Sequence, residues 1–177
     1  MPLHVVQTRL ADTTSLRECI DIVARETHFL ASLGAPSEPE LARELDASER
    51  SHSIHLVAKD AQRVVGWAQI DRGRGSSVAH RGDLGMGVLP AYRGCGIGRR
   101  LLTECVAAAN GVGIDRVELE VRSDNHHALE LYRKAGFAVE SIVKAAMKVE
   151  GVYHDAFRMC LMSALESGLG YRLASGR

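Results

Sequence analysis

The sequence is poor in cysteine, and its four cysteines follow no recognisable spacing. No C-x-x-C pair occurs and no neighbouring pair of histidines completes a ligand set, so neither zinc nor any other metal is expected. A disulfide framework is equally unexpected, because scattered single thiols are typical of proteins in a reducing compartment. We therefore expect a cytoplasmic protein without a metal centre.

Other absences narrow the class of protein further. The 22 basic and 22 acidic residues balance, so a general attraction to nucleic acid or to an anionic membrane is not indicated. No apolar run approaches the roughly 18 residues of a membrane span. The first residues, 1–4, lack the pattern of a signal peptide. A hydrophobic content of 46% and a charged content of 25% are typical of an ordinary globular domain.

Hydrophobic periodicity predicts an α/β fold, with a mixed central sheet of about seven strands flanked by about four helices. The predicted strands span residues 5–10, 55–58, 64–70, 78–89, 116–121, 137–149 and 152–162. The predicted helices span residues 15–31, 37–49, 97–110 and 125–135. Residues 1–165 are expected to form one domain, and residues 166–177, which contain glycine and serine, are expected to form a frayed C-terminal tail.

The predicted strand 78–89 is unusual because it contains three glycines, Gly82, Gly85 and Gly87. Glycine weakens the interior of a strand. Its presence there indicates either β-bulges or the close approach of another backbone or a ligand.

A glycine-rich turn follows this strand and leads into the third predicted helix. Pro90 ends the strand, because proline cannot donate to a sheet ladder. Glycines let the backbone turn with its N–H groups pointing into one concavity, and the first N–H groups of a helix have no partner inside it. The glycines of the turn are Gly94, Gly96 and Gly98, and its cations are Arg93, Arg99 and Arg100. Together with the helix dipole they predict a site for a diphosphate.

Several kinds of diphosphate loop can be compared with this turn. A P-loop requires Lys-Ser or Lys-Thr after its last glycine, where Arg99 and Arg100 stand here. A dinucleotide fingerprint requires its third glycine one position later than Gly98. The run does fit Arg-x-x-Gly-x-Gly, and it resembles the pyrophosphate loop of the GNAT superfamily of N-acetyltransferases. A plain glycine-rich turn with solvated arginines remains the structural alternative.

A second motif strengthens the resemblance. A strand at 116–121 is followed by Asn125, Ala128, Tyr132, Gly136 and Phe137, which is similar to the GNAT pattern N-x-x-A-x-x-x-Y-x-x-x-G-F. The later sequence Gly-Val-Tyr-His-Asp at 151–155 resembles bacterial members, similar to ribosomal-protein and amino-acid N-acetyltransferases. The resemblance covers residues 5–162 in the order of elements.

The family resemblance implies that acetyl-CoA is the cofactor and that it lies in a V-shaped opening between strands 78–89 and 116–121. The pantetheine arm would pair with the backbone of Met86, Gly87 and Val88. The diphosphate would bind the loop residues Arg93, Gly94, Cys95, Gly96, Ile97, Gly98 and Arg99. Asn125 matches the position that contacts the pantetheine, although capping of the following helix is its structural alternative.

The resemblance also implies two catalytic residues. Tyr132 matches the tyrosine that donates a proton to the leaving thiolate, and a phenol with a pKa of about 10 suits a general acid. Its alternative role is that of a core aromatic residue on an amphipathic helix. Glu120 matches a position where some N-terminal acetyltransferases carry the base that deprotonates the amine. Its alternative is a solvated carboxylate that shares a strand face with Glu118.

The acceptor is expected to be a primary amine: an amino acid, a peptide N-terminus or another small amine. The residues expected to line the acceptor site are His28, Phe29, His80, Tyr153 and Asp155. Each has a structural alternative, for example core packing for Phe29, a surface position for His80 and a turn position for Asp155. Family members often dimerise through their last strands, so a homodimer is a further expectation.

Two rival functions stay open at this point. A non-catalytic acyl-CoA sensor would keep the cofactor cleft but lack turnover, and retention of Tyr132 argues against it. A dinucleotide-binding oxidoreductase of the NAD type is disfavoured by the displaced third glycine of the turn.

Overall fold

A computed structural model describes residues 3–27, 29–32 and 34–163 of the chain. The predicted α/β architecture is confirmed: one seven-stranded mixed sheet is accompanied by four α-helices in the described part. The strands are β1 (His4–Gln7), β2 (Ile54–Asp60), β3 (Arg63–Arg72), β4 (Arg81–Val88), β5 (Arg116–Arg122), β6 (Ala138–Val149) and β7 (Val152–Met162). The helices are α1 (Thr13–Thr27), α2 (Glu38–Ser51), α3 (Ile97–Gly111) and α4 (His126–Lys134). The predicted tail at 166–177 lies outside the described residues.

The start of the chain differs from the prediction. Strand β1 ends at Gln7, and a single turn of 3-10 helix, Leu10–Asp12, leads into α1 two residues before the predicted start at 15. Asp12 is buried and explains the turn, because its carboxylate accepts from the backbone N–H of Arg9 at 3.0 Å and from Lys59 at 2.5 Å. A buried carboxylate needs such partners to offset its lost hydration.

The core lies on both faces of β3. Five successive residues of this strand, 64–68, are buried, which is typical of a strand covered on both sides. Helix α3 covers one face, where Leu101 lies 3.1 Å from the position that a Cβ would take at Gly66. Helix α1 packs on β3 as well and is tied to it by Ser15, whose hydroxyl accepts from the Val64 N–H at 2.9 Å. The sheet is therefore the middle layer of the domain.

The glycines of β4 do not mark bulges, because the pairing of β3 with β4 is regular from Gly66–Val88 to Arg72–Gly82. Two of them make room for side chains instead. A Cβ at Gly82 would lie 2.4 Å from Ile70, and one at Gly87 would lie 2.4 Å from the buried Trp67 ring. At Gly85 the nearest atom, in Gln69, is 3.5 Å away. Gly82 and Gly87 are thus explained by side-chain crossing: a side chain of the neighbouring strand β3 passes over each glycine. Sequence analysis did not offer this explanation.

Strands β4 and β5 create an opening in the sheet. They pair in parallel only over three positions, Arg81–Arg116, Gly82–Val117 and Asp83–Glu118. Beyond this point β4 continues to Val88 and β5 to Arg122 without pairing to each other. The other edge of β5 is taken by β7, which pairs with it along its whole length. The sheet therefore divides at the carboxyl ends of β4 and β5, as the family resemblance implied.

No helix in the described ranges combines the length and the apolar composition that crossing a membrane requires.

The crossing at Gly87 yields a stability prediction. Gly87→Ala places a methyl group against the Trp67 ring, and overpacking of this kind costs about 1–3 kcal/mol in the free energy of unfolding. Gly85→Ala is the matched control on the same strand, where we expect a change within about 0.5 kcal/mol. Urea unfolding of both variants measures the difference. Equal stabilities for the two variants would contradict the assignment of Gly87 to side-chain crossing.

Candidate active site

The glycine turn has the conformation that an anion site requires. Gly94 and Gly96 adopt φ values of +75° and +81°, which side chains other than glycine rarely tolerate. Gly96 caps α3, and the first backbone bond of the helix runs from the Arg100 N–H to the Gly96 carbonyl at 3.0 Å. The N–H groups of Ile97, Gly98 and Arg99 therefore have no acceptor inside the helix. The turn is not covered by other segments, since apart from its chain neighbours no atom lies within 4 Å of a Cβ built at Gly94 or Gly96.

The three arginines of the turn differ in their engagements. The guanidinium of Arg93 donates to the Val88 carbonyl at 2.9 Å and to Glu26 of α1 at 2.8 Å. Arg100 binds Glu104 at 2.7 Å and the Leu3 carbonyl at 3.0 Å. Arg99 is exposed and forms no ion pair with another described residue. Arg93 thus joins the turn to α1 and β4, whereas Arg99 is the arginine whose charge is left for an anion.

The backbone of β4 offers hydrogen-bonding groups to the opening. The Leu89 N–H donates to the Val65 carbonyl at 2.9 Å. Because alternate residues of a strand face opposite edges, Gly85 and Gly87 direct their backbone groups to β3. Met86 and Val88 direct theirs to the opening. Of the three residues expected to pair with pantetheine, Gly87 is therefore already committed to β3.

Asn125 caps α4. Its Oδ1 accepts from the Ala128 N–H at 3.2 Å, so the structural alternative of helix capping holds. Capping uses only the Oδ1 atom, so the two N–H donors on Nδ2 remain available for another partner. Helix α4 lies near the start of α3, where Leu131 is 3.6 Å from a Cβ at Gly98. Asn125 and α4 thus lie on the β5 side of the opening, opposite the glycine turn.

Tyr132 is a buried residue of α4. Its ring packs against Phe137 with the centroids 5.8 Å apart. Burial raises the pKa of its phenol to about 12, because the ionised form would lose hydration. Its hydroxyl has no hydrogen-bond partner among the described residues. Tyr132 is therefore a core residue that keeps its proton at any physiological pH.

A charged cavity of about 350 Å³ lies where β4 and β5 separate. Glu120 lines it and forms an ion pair with Arg158 of β7, which is also its partner in the strand pairing of the sheet. Glu118 also lines it, is buried, and receives both donors of the Arg81 fork at 2.9 and 2.8 Å. The cavity lining consists of Arg81, Asp83, Leu84, Glu118, Leu119, Glu120 and Arg158.

The residues that were expected to line the acceptor site lie in different surroundings. Phe29 is half-buried and lies under the guanidinium of Arg122, 4.6 Å from ring centroid to Cζ. Arg122 in turn binds Asp124 at 2.9 and 2.6 Å, and Asp124 lies 3.8 Å from His154. Phe29 is therefore brought to the carboxyl end of β5, beside the opening. His28 lies outside the described residues.

The other three wall candidates have structural surroundings of their own. The prediction that His80 lies on the strand is wrong, because residues 78–80 form a turn. The backbone carbonyl of His80 accepts from the Arg116 N–H at the paired end of β4 and β5. Tyr153 is exposed on β7 and stacks under Lys148 at 4.9 Å. Asp155 lies within β7 rather than in a turn. It binds Lys144 at 2.7 Å and the Ala145 N–H at 3.0 Å, which holds the irregular stretch of β6.

Sequence analysis missed three charged residues of the cavity, namely Arg81, Asp83 and Arg158. Arg158 and Asp83 lie on β7 and β4, and both line the cavity with Glu120. A signal existed in the alternation of charges along the strands, since Arg81 and Asp83 stand two positions apart, as do Glu118 and Glu120. That alternation places them on one face of the sheet.

Comparison with known proteins identifies the family. The model of the acetyltransferase (GNAT) family matches residues 18–137. N-alpha-acetyltransferase RimI of Mycobacterium tuberculosis is 41% identical over 109 residues, which cover 61% of this chain and 65% of that relative. L-amino acid N-acetyltransferase AaaT of Escherichia coli is 28% identical over 152 residues, which cover 85% of this chain and 94% of that protein.

A solved structure agrees with these sequence matches. The crystal structure of a GNAT-family acetyltransferase from Streptococcus pneumoniae superposes with a TM-score of 0.85 and 27% identity, covering 91% of this chain and 99% of that one. The fold, the divided sheet and the open end of α3 define an acyl-CoA-binding α/β domain. This chain belongs to the acetyltransferase (GNAT) family. The dinucleotide alternative is thereby set aside. The match to the Mycobacterium tuberculosis relative spans slightly less than two thirds of that protein.

The two roles of Asn125 can be separated by substitution. Asn125→Asp retains the oxygen that caps α4 but loses the Nδ2 donors, whereas Asn125→Ala loses both. We expect Asn125→Ala to lose about 1 kcal/mol of stability and Asn125→Asp to keep it. If the amide donates to the cofactor, both variants bind acetyl-CoA more weakly by about three- to tenfold. Calorimetric titration with acetyl-CoA measures this, and an unchanged dissociation constant for Asn125→Asp would leave capping as the whole role of the residue.

Proposed function

We propose that this chain is an acetyl-CoA-dependent N-acetyltransferase whose acceptor is a primary amine. The observation that carries the proposal is the separation of β4 from β5 beside the open N-terminus of α3. The family match supports it, because the two matched motifs lie on the two sides of this opening. Bound acetyl-CoA would supply an activated acetyl group as a thioester.

Cofactor binding is assigned to groups that face the opening. The N–H groups of Ile97, Gly98 and Arg99, together with the Arg99 guanidinium, bind the diphosphate at the positive end of the helix dipole. The backbone of Met86, the N–H of Val88 and the Asn125 amide bind the pantetheine arm. Arg93, which bridges Glu26 and the Val88 carbonyl, holds the turn in position. These groups orient the thioester towards the cavity where the strands divide.

The amine must be neutral before it can attack, and Glu120 is assigned as the group that takes its proton. An α-amine has a pKa of about 8, whereas a lysine side chain has one of about 10.4, so an α-amine loses its proton far more readily near neutral pH. The bond from Arg158 holds the Glu120 carboxylate at the cavity. A carboxylate fixed in this way can accept the proton directly or through one water molecule.

The departing thiolate must receive a proton, and Tyr132 is assigned as the donor. Its burial favours the neutral phenol, which therefore carries its proton until negative charge develops beside it. Burial of Tyr132 is equally expected of a residue that only packs in the core. Kinetic measurements on a variant are therefore needed to distinguish a proton donor from a packing residue.

The acceptor is proposed to be an α-amine, from an amino acid or from a peptide N-terminus. The two relatives described above carry names of these two classes, an N-alpha-acetyltransferase and an L-amino acid N-acetyltransferase. The pKa of an α-amine supports the same choice. Phe29 and Arg122, at the end of β5, are proposed to border the acceptor path.

A cytoplasmic homodimer remains part of the proposal. Apolar side chains are exposed on the β6–β7 hairpin, namely Val139, Ile142, Val152 and Tyr153. These strands form the end of the sheet, with β6 at its edge. An edge strand with exposed apolar residues supports association with a second copy through this end.

Tyr132→Phe tests the proton donor. We expect kcat to fall about a hundredfold with little change in the dissociation constant of acetyl-CoA. Because the donor acts only while protonated, and its pKa is about 12, wild-type kcat should not decline through the ordinary tyrosine pKa of about 10. Tyr92→Phe is the matched control, since it removes a phenol that binds Asp60 at 2.8 Å on the protein surface. Thiol release from acetyl-CoA measures all three, and wild-type kcat in Tyr132→Phe would assign this residue to packing alone.

Glu120→Gln tests the proton acceptor. The amide keeps the size of the side chain but cannot take a proton, so turnover should fall more than the Michaelis constant for acetyl-CoA rises. Glu130→Gln is the control, because Glu130 also forms an exposed ion pair, with Lys134 at 2.6 Å. An unchanged turnover number in Glu120→Gln would remove Glu120 from the mechanism.

A further inference from the structure

The charges that line the cavity between β4 and β5 are not balanced. Three carboxylates, Asp83, Glu118 and Glu120, face two guanidinium groups, those of Arg81 and Arg158. Arg81 is engaged with Glu118 through both of its fork donors. Arg158 is engaged with Glu120. The pairing leaves Asp83 as the cavity carboxylate without a hydrogen bond or ion pair to another described residue.

Asp83 occupies the point where the sheet divides. It is the last residue of β4 that pairs with β5, opposite Glu118. Its side chain is exposed to the cavity rather than packed into the core. A group entering the cavity towards Glu120 therefore passes into the field of a second carboxylate.

The titration behaviour of Asp83 agrees with this placement. Partial burial raises the pKa of its carboxyl above the usual range, and the neighbouring negative charges of Glu118 and Asp71 raise it further. Arg81 and Arg158 act in the opposite direction without cancelling the shift. The negative field that contributes to this shift would also stabilise a positive charge brought close to Asp83.

We propose that Asp83 is a specificity-determining residue that binds the ammonium group of the incoming acceptor. It favours acceptors that carry a net positive charge over zwitterions, because the carboxylate of a zwitterion would be repelled by the unpaired carboxylate of Asp83. This inference rests on the proposed acetyltransferase function. It assigns to Asp83 attraction of the protonated amine, while Glu120 removes the proton.

Two acceptors that differ only at one end test the inference. L-Alaninamide is cationic and L-alanine is zwitterionic, and both present an α-amine on the same carbon skeleton. The quantity to measure is the ratio of kcat/KM for the amide to kcat/KM for the amino acid. Because the two amines differ in pKa, the change in this ratio on mutation is decisive rather than the ratio itself. The assay follows thiol release at pH 7, where most of the alaninamide is still cationic, and at low ionic strength.

The test variant is Asp83→Asn, and Asp71→Asn is the matched control. Asp71 pairs with Asp83 across β3 and β4 but does not line the cavity. Asp83→Asn should lower the amide-to-acid ratio about three- to tenfold, a modest effect because the side chain is solvent-exposed. The change should come from the KM of the amide, with kcat and the affinity for acetyl-CoA preserved. Asp71→Asn should leave the ratio within about twofold, because Asp71 is exposed outside the cavity and solvent screens its charge from the acceptor.

The outcomes separate this inference from the function on which it rests. An amide-to-acid ratio that is unchanged in Asp83→Asn, with both acceptors still acetylated, would overturn the role of Asp83 and leave the acetyltransferase proposal intact. An equal fall in Asp71→Asn would also overturn it, because the effect would then be one of general charge. If the wild-type protein acetylates no amine, the proposed function fails and this inference fails with it.

Discussion

The opening at the candidate site exists because two parallel strands, β4 and β5, pair over only three positions. Once β4 and β5 part after Asp83 and Glu118, the facing edges carry backbone groups that no neighbouring strand can satisfy. On the β5 side, the edge away from the gap is fully paired with β7. On the β4 side, the backbone groups of Met86 and the N–H of Val88 face the gap, whereas the Val88 carbonyl accepts from Arg93. A ligand with amide groups of its own, such as pantetheine, can supply the missing partners.

The glycine turn and the glycine-bearing strand serve different ends, although both are rich in the same residue. In the turn, positive φ values at Gly94 and Gly96 require glycine and point the first N–H groups of α3 away from the helix. In the strand, Gly82 and Gly87 make room for Ile70 and Trp67, so that β4 can pack closely beside β3. Close packing on that edge fixes the position of the opposite edge, where the cofactor is proposed to bind.

The sequence was sufficient to predict the element order, the glycine turn before α3 and the cap at Asn125, because each depends on local spacing and on glycine, proline or asparagine chemistry. It was insufficient for contacts between distant segments. Nothing local distinguishes Arg93, which binds Glu26 of α1, from Arg99, which stays exposed. The Trp67–Gly87 crossing depends on strand register, which hydrophobic periodicity leaves open. His80 was assigned to a strand because Val78 extends the apolar pattern, whereas backbone bonds from Val78 to Gly75 and from Arg81 to Val78 close a turn there.

The base of the opening is held by charge rather than by further strand pairing. Glu118 is buried between Arg81 of β4 and Arg116 of β5, and Arg116 also reaches Glu140 of β6. Burial alone would raise the pKa of Glu118, yet the two guanidinium groups outweigh it and the pKa lies below its usual range. A carboxylate in this position stays ionised and holds the guanidinium groups of Arg81 and Arg116 in ion pairs. Because Glu118 neutralises Arg81, Asp83 retains its influence on whatever enters between the strands.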